Sequence, residues 1–161
     1  YNEAKDLLNK LLDEKKNDFY IYQLLGIISQ YSGNIEESIY NFNLSLNLMP
    51  KNAGVLFNLG VINRSLKNLE KAKEYFFKSL EINPNFIDGY INIAQICERE
   101  KKIFDADNHY QKAFSIKKDH PSLNRAYARF LINIGELKKG LSLMYKNFGN
   151  IRFGKSNVEF N

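Results

Sequence analysis

Few residues in this sequence combine the types and spacing that catalysis requires. Neither His109 nor His120 has a histidine or cysteine partner at metal-ligand spacing, and we expect the first on the outward side of a helix and the second in a link between helices. Cys97 is the single cysteine, which excludes a cysteine metal cluster, and its inward helix position predicts a small buried core residue. Glu36 and Glu37 fall in a first helical turn, where carboxylates complement the helix dipole. The sequence therefore predicts no catalytic residue, no cofactor and no metal site, and a protein that is not an enzyme.

A period of 34 residues organises the elements that would position any site. Small residues recur at this spacing, followed after twelve residues by another small residue and, four further on, by a large apolar one. Self-similarity at such a period indicates a repeat architecture. The three series are Gly26, Gly60, Ala94 and Ala128, then Ser38, Ala72, Ala106 and Gly140, then Phe42, Phe76, Tyr110 and Met144. Pro50 and Pro84 close two of the units.

This combination resembles the tetratricopeptide repeat family, in which a large residue, Leu-Gly, Ala, an aromatic residue and Pro recur at this spacing. Tyr22, Leu56 and Tyr90 hold the place of the family's tryptophan. The resemblance covers nearly the whole chain and weakens where Asn124 replaces the large residue and Gly140 replaces alanine. It implies an all-α fold, a right-handed α-solenoid of antiparallel helix pairs with about nine helices.

The residues of one unit explain physically why the pattern folds as a helix pair. Leu56, Leu59 and Ile62 lie three residues apart and form an apolar stripe on the first helix. Small residues at Gly60 and Ala72 are expected to let the two helix backbones approach closely. Turns are predicted at Gly33-Asn34 and Lys67-Asn68, and the prolines separate successive units.

The period divides the chain into six segments. We expect the second helix of a truncated repeat over residues 1–18, tetratricopeptide repeats over 19–52, 53–86 and 87–120, a degenerate helix pair over 121–148, and a tail or the start of a following domain over 149–161. Apolar and polar residues alternate in the last segment, as in a strand. A truncated array exposes an apolar edge at its N-terminal end, through which we expect self-association.

Composition and charge limit the functional classes. Hydrophobic residues make up 44% and charged residues 25%, which is ordinary for a folded protein. The net charge of +5 is uneven, since residues 1–50 hold 4 Lys+Arg against 7 Asp+Glu and residues 101–161 hold 12 against 5. This asymmetry fits either steering of an acidic partner or helix-end lysines that complement helix dipoles. No apolar run approaches the length of about 20 residues needed to span a membrane, and we expect a cytoplasmic location, although a chain beginning at Tyr1 leaves a removed targeting segment open.

The resemblance implies that the first helices of successive repeats line a concave groove that binds an extended peptide or a protein. Asn58 and Asn92 stand one period apart and resemble the asparagine ladder with which some family members hold a peptide backbone. The family's clamp for a chaperone C-terminus is missing, because Gln23, Ile27, Asp88 and Asn92 occupy its places. The predicted groove residues are Tyr20, Gln23, Ile27, Tyr31, Phe57, Asn58, Val61, Arg64, Asp88, Ile91, Asn92, Gln95, Arg99, Arg125 and Arg129.

Three functional classes remain to be compared. The first is a noncatalytic scaffold that binds a peptide or protein partner, and neither a nucleic acid nor a membrane is expected as a partner. The second is the substrate-positioning arm of a larger enzyme, a transferase or an oxygenase, which the strand-like segment 149–161 favours. The third is RNA recognition, which the basic third of the chain suggests but which the varied inward positions do not support.

Overall fold

The computed structural model describes residues 2–15 and 18–146, and these ranges form helices joined by short turns. The all-α prediction is confirmed, as is the predicted number of helices within the described residues. The strand-like interpretation of residues 149–161 lies outside them. The helices are α1 (Asn2–Glu14), α2 (Phe19–Tyr31), α3 (Ile35–Leu48), α4 (Ala53–Ser65), α5 (Leu69–Ile82), α6 (Ile87–Arg99), α7 (Ile103–Ile116), α8 (Pro121–Asn133) and α9 (Leu137–Lys146).

The chain forms two compact units, Tyr1–Gly89 and Tyr90–Asn161, here called the N-terminal unit and the C-terminal unit. The N-terminal unit contains α1 to α5 and the first residues of α6, and the C-terminal unit contains the rest of α6 with α7, α8 and α9. Within each unit, consecutive helices pack against each other across turns of a few residues, most extensively α2 with α3, α4 with α5 and α8 with α9. Each of these pairs is an antiparallel helical hairpin.

The core of the N-terminal unit comes from the apolar stripes that the sequence predicts. Phe42 of α3 packs with Val55, Leu59 and Ile62 of α4, and Ile27 of α2 covers part of this cluster. In a second buried cluster, a leucine of α1 packs against an isoleucine and a leucine of α2. Burial of such side chains contributes most of the stability of a helical hairpin, because isolated helices of this length are marginal in water.

Gly26 and Gly60 are positions at which the paired helices approach closely. A Cβ atom on Gly60 would lie 2.6 Å from Cε1 of the buried Phe76 ring, and one on Gly26 would lie 2.6 Å from the ring of Phe42. Both rings are fully buried, so they have little room to move away. The predicted role of the small residues is confirmed for Gly60, and Ala72 on the facing helix is fully buried as well.

The turn inside each hairpin repeats one backbone conformation at the 34-residue period. Gly33, Lys67, Lys101 and Gly135 all have positive φ, with values of 81°, 63°, 59° and 88°. The predicted turns at residues 33–34 and 67–68 are therefore confirmed. Glycine adopts this conformation freely, whereas a lysine side chain crowds its own backbone there. Because lysine occupies two of the four positions, the sequence alone did not reveal that the four turns share one backbone conformation.

Serine side chains fasten the second helix of a hairpin to the backbone of the first, which the sequence did not predict. Ser38 Oγ donates to the carbonyl oxygen of Gly26 at 2.7 Å. Ser45 and Ser79, one period apart, donate to the carbonyl oxygens of Phe19 and Ala53, each at 2.8 Å. All three serines are buried, so each hydroxyl satisfies its hydrogen-bonding capacity against a backbone acceptor.

In the C-terminal unit, aromatic rings of α7 and α8 pack together around Tyr110. The centroid of the Tyr110 ring on α7 lies 5.1 Å from that of Tyr127 and 5.3 Å from that of Phe130, both on α8. The two residues that depart from the repeat pattern have structural roles here. Asn124 is fully buried, and a Cβ on Gly140 would lie 2.8 Å from the carbonyl oxygen of Ala128. Glycine at this position lets α9 pack on the backbone of α8.

Helix starts differ in whether a side chain caps them. Asn52 Oδ1 accepts a hydrogen bond from the Val55 amide at 3.1 Å at the start of α4. Asn68 occupies the same position before α5 without a side-chain cap bond. His120, which was expected in a link between units, accepts from the Leu123 amide through Nδ1 at 3.3 Å and thus caps α8.

We expect Asn52→Ala to lower the free energy of unfolding by about 1–2 kcal/mol, because it removes the acceptor for an N-terminal amide of α4. Asn68→Ala is the matched control, since it makes the same change at an uncapped helix start, and we expect it to cost less than about 0.5 kcal/mol. Urea denaturation followed by circular dichroism measures both. Equal losses in the two variants would contradict a capping role for Asn52.

Candidate binding faces of the first helices

The predicted groove residues of α2 present a mixed aromatic and polar surface. Tyr31 is 72% exposed and Tyr20 is also exposed, at opposite ends of the helix. Gln23 and Ile27 are half-buried between them. The Gln23 Oε1 atom accepts a hydrogen bond from Asn52 Nδ2 at 2.8 Å, so the capping residue of α4 also orients a side chain of the α2 face.

The predicted residues of α4 lie beside the core and remain accessible. Phe57 packs its ring 4.7 Å from Phe86 and 5.5 Å from Phe76, measured between centroids. Asn58, Val61 and Arg64 are half-buried. The amide of Asn58, the guanidinium of Arg64 and the ring of Phe57 therefore all lie on α4 of the N-terminal unit. Phe86 belongs to this aromatic cluster, although it follows α5 in a connection that the sequence did not single out.

The predicted residues of α6 are less uniform than those of α2 and α4. Asp88 lies in the N-terminal unit and is half-buried. In the C-terminal unit, Ile91 and Asn92 are only 5% and 8% exposed, whereas Gln95 is half-buried and Arg99 is exposed. Asn92 is therefore buried, whereas Asn58, its equivalent one period earlier, is half-buried.

The C-terminal unit holds a pocket of about 400 Å³ that brings three predicted residues together. Arg125 and Arg129 of α8 stand one helical turn apart, and Gln95 of α6 joins them. The remaining lining residues are Ser122, Ala126, Ile132 and Met144. Met144 holds the place of the repeat's second-helix aromatic residue and is 42% exposed.

A partly buried polar contact involves Arg129 of this pocket. The hydroxyl of Tyr110 donates to Glu98 Oε1 at 2.5 Å, and Arg129 Nη2 lies 3.7 Å from the same oxygen. Burial raises the pKa of Tyr110, and the hydrogen bond to Glu98 raises it further. The phenol therefore stays protonated and acts as a donor, which fixes the carboxylate of Glu98.

A model of the family described as "Tetratricopeptide repeat" matches residues 53–86. The photosystem I assembly protein Ycf3 of Rippkaea orientalis is 31% identical over 120 residues, which cover 67% of this chain and 69% of that protein. The chain belongs to the tetratricopeptide repeat family. Ycf3 of Acaryochloris marina is 29% identical over 101 residues, covering 60% of this chain and 61% of the relative's length. The chain thus spans less than two thirds of that relative.

The tetratricopeptide fold of the chain also matches a solved structure. PilF of Pseudomonas aeruginosa superimposes with a TM-score of 0.81, covering 93% of this chain and 70% of that one, at 19% identity. At this identity the likeness shows the fold alone. It agrees with the helix pairs described for each unit.

The candidate chemical groups lie within this tetratricopeptide scaffold. Cys97 is buried, as predicted. His109 was expected on the outward side of its helix, but the structure places it half-buried with its ring centroid 6.3 Å from that of Tyr90. Burial lowers the pKa of His109, and the charge of Lys112 lowers it further. In the described residues, no three His, Cys, Asp or Glu side chains are grouped to hold a metal ion, and none of the helices is long and apolar enough to cross a membrane.

Proposed function

We propose that the chain is a noncatalytic protein-interaction scaffold whose first helices hold a peptide or protein partner. The observation that carries this proposal is the two-sided character of α4. Leu59 and Ile62 are buried in the core, while Asn58, Val61 and Arg64 of the same helix are half-buried and accessible. Such a surface, fixed on a rigid helix and mixing amide, aliphatic and cationic groups, suits an extended polypeptide.

The names of the relatives support the same class of role. Two of them are called photosystem I assembly proteins, and the holding of polypeptides fits such a name. We carry over to this chain the holding of a polypeptide and nothing more specific. The partner we propose is a protein or an extended peptide. Side-chain amides of this chain would hydrogen-bond to the partner's backbone, and its aromatic rings would pack against the partner's side chains.

A peptide-display selection followed by nuclear magnetic resonance tests the proposal. Peptides selected from a random library are titrated into the ¹⁵N-labelled chain. We expect the largest shifts at α2 and α4 residues such as Gln23, Asn58 and Arg64. Shifts confined to exposed second-helix residues such as Tyr40 and Phe77, or a failure to select any saturable peptide, would overturn it.

We expect Asn58→Ala to weaken the selected peptide about 3–10-fold, which corresponds to the loss of one hydrogen bond to a peptide backbone. Its thermal stability should change little, because Asn58 is half-buried. Asn43→Ala, at an exposed position of α3, is the control and should leave affinity unchanged. Asn92→Ala is expected to reduce stability as well, because Asn92 is 8% exposed. Equal affinities of the wild-type chain and Asn58→Ala would remove the proposed role of the ladder.

A further inference from the structure

The pocket of the C-terminal unit concentrates positive charge on one turn of α8. Arg125 and Arg129 both line it, together with the amide of Gln95 and the hydroxyl of Ser122. All four side chains can donate hydrogen bonds, and the guanidinium groups match the geometry of carboxylates. Ala126 and Ile132 supply an apolar part of the lining.

The positive charges of this pocket are incompletely balanced by the residues that the structure describes. Glu98 Oε1 lies 3.7 Å from Arg129 Nη2, and the same oxygen accepts the hydroxyl of Tyr110. Among the described residues, the structure gives Arg125 no carboxylate within ion-pair distance. Arg125 is also exposed. Glu98 thus lies near one of the two guanidinium groups only, and the pocket favours an added negative charge.

The spacing of the two arginines selects the form of that charge. Residues four apart on an α-helix are separated by about 6 Å along the axis. In an extended chain, side chains two residues apart point to the same side and lie about 6.6 Å apart, whereas adjacent side chains point to opposite sides. Two carboxylates separated by one residue therefore match Arg125 and Arg129.

We propose that this pocket binds a partner segment in which two acidic residues, Asp or Glu, are separated by one other residue. The proposal rests on the scaffold function above and specifies its partner. The occupant is an internal extended segment rather than a chain end. The main-chain carboxylate of a chain end is a single group, whereas the two guanidinium groups lie one helical turn apart and can each pair with a carboxylate. The intervening side chain points away from the arginines, so the motif leaves its identity open.

Four blocked, fluorescently labelled peptides test the proposal on the intact chain. They share one neutral extended sequence and differ only in carrying Glu-Ser-Glu, Glu-Ser-Gln, Gln-Ser-Gln or Ser-Glu-Glu at its centre. Fluorescence anisotropy measures their affinities. We expect Glu-Ser-Glu to bind about tenfold tighter than Gln-Ser-Gln, and tighter than Ser-Glu-Glu, which has the same charge. Blocking both ends excludes the terminal carboxylate as the source of binding.

Protein variants then locate the effect. Arg125→Gln with Arg129→Gln should reduce the preference for Glu-Ser-Glu over Gln-Ser-Gln from about tenfold to less than about twofold. Lys112→Gln with Lys117→Gln removes the same charge from exposed positions outside the pocket and should keep the preference. Circular dichroism and urea midpoints verify the fold of each variant, and the peptide series on the wild-type chain tests the proposal without them.

Several outcomes would overturn the acidic motif. Equal affinities for Glu-Ser-Glu and Gln-Ser-Gln, or for Glu-Ser-Glu and Ser-Glu-Glu, would do so on the wild-type chain. If the arginine and lysine variants lost the preference for Glu-Ser-Glu equally, the preference would come from the overall positive charge of the chain and not from this pocket. An oligouridylate that binds more tightly than Glu-Ser-Glu and depends on the same arginines would assign the pocket to phosphates. If library peptides still shift α2 and α4 in these cases, the scaffold function stands and only the acidic motif fails.

Discussion

Replacing Phe76 with alanine is expected to lower the free energy of unfolding of the N-terminal unit by about 3–5 kcal/mol. The Phe76 ring is fully buried, lies against the backbone of Gly60 and packs 5.5 Å from the ring of Phe57. Alanine would lose the transfer free energy of the ring and leave a cavity. The rigid approach of α4 to α5 limits collapse into that cavity, which places the expected value well above an average substitution.

Phe77→Ala provides a control for Phe76→Ala on the next residue of the same helix. Phe77 is 44% exposed, so the identical change in composition removes much less buried surface. We expect a loss below about 1.5 kcal/mol. Urea denaturation monitored at several wavelengths measures both and tests whether the transition is cooperative, which repeat arrays do not always satisfy. Comparable losses in the two variants would show that the packing of α4 on α5 differs from the structure described here.

Gly60→Ala is expected to destabilise the chain by about 1–3 kcal/mol, although alanine is the better helix former. The added Cβ would lie 2.6 Å from Cε1 and 2.7 Å from Cδ1 of Phe76. Since the ring is enclosed, the two helices must separate or the ring must leave its rotamer. Either adjustment costs more than the gain in helix propensity.

Gly54→Ala makes the same substitution on the same helix at a position with space. The nearest atoms to the added Cβ are Asn52 Oδ1 at 3.5 Å and Gln23 Nε2 at 3.8 Å, which are ordinary contacts. We expect it to be neutral or to stabilise by up to about 1 kcal/mol. Combining Gly60→Ala with Phe76→Leu should cost less than the sum of the two single changes, because the smaller side chain admits the methyl group. Strict additivity would contradict a direct contact between residues 60 and 76.

In the proposed function, one side of α4 contributes to stability and another side to recognition. Leu59 and Gly60 of α4 are buried against neighbouring helices, whereas Asn58 and Val61, next to them in sequence, keep accessible surface. Changes on the first side should be detected as altered stability, and changes on the second as altered binding. This separation makes the proposed scaffold function testable with single substitutions.

The sequence by itself determined the repeat, its period and the pairing of helices. These features depend on residues close in sequence and recur in each repeat. The pattern consists of small residues at Gly26 and Gly60, large ones at Phe42 and Phe76, and a turn at Gly33. Residues within one repeat are enough to specify a helical hairpin, and contacts with neighbouring hairpins stabilise that hairpin.

Only the tertiary structure decided which predicted groove residues remain accessible and which converge. Asn58 and Asn92 are equivalent in the sequence, yet only Asn92 is nearly buried. The pocket joins Gln95 to Arg125, and the histidine expected in a link, His120, caps a helix. Burial and convergence depend on side chains brought in from other helices, often distant in sequence. A period of 34 residues gives equivalent positions the same helix and face, but their surroundings are set by neighbours that differ from one repeat to the next.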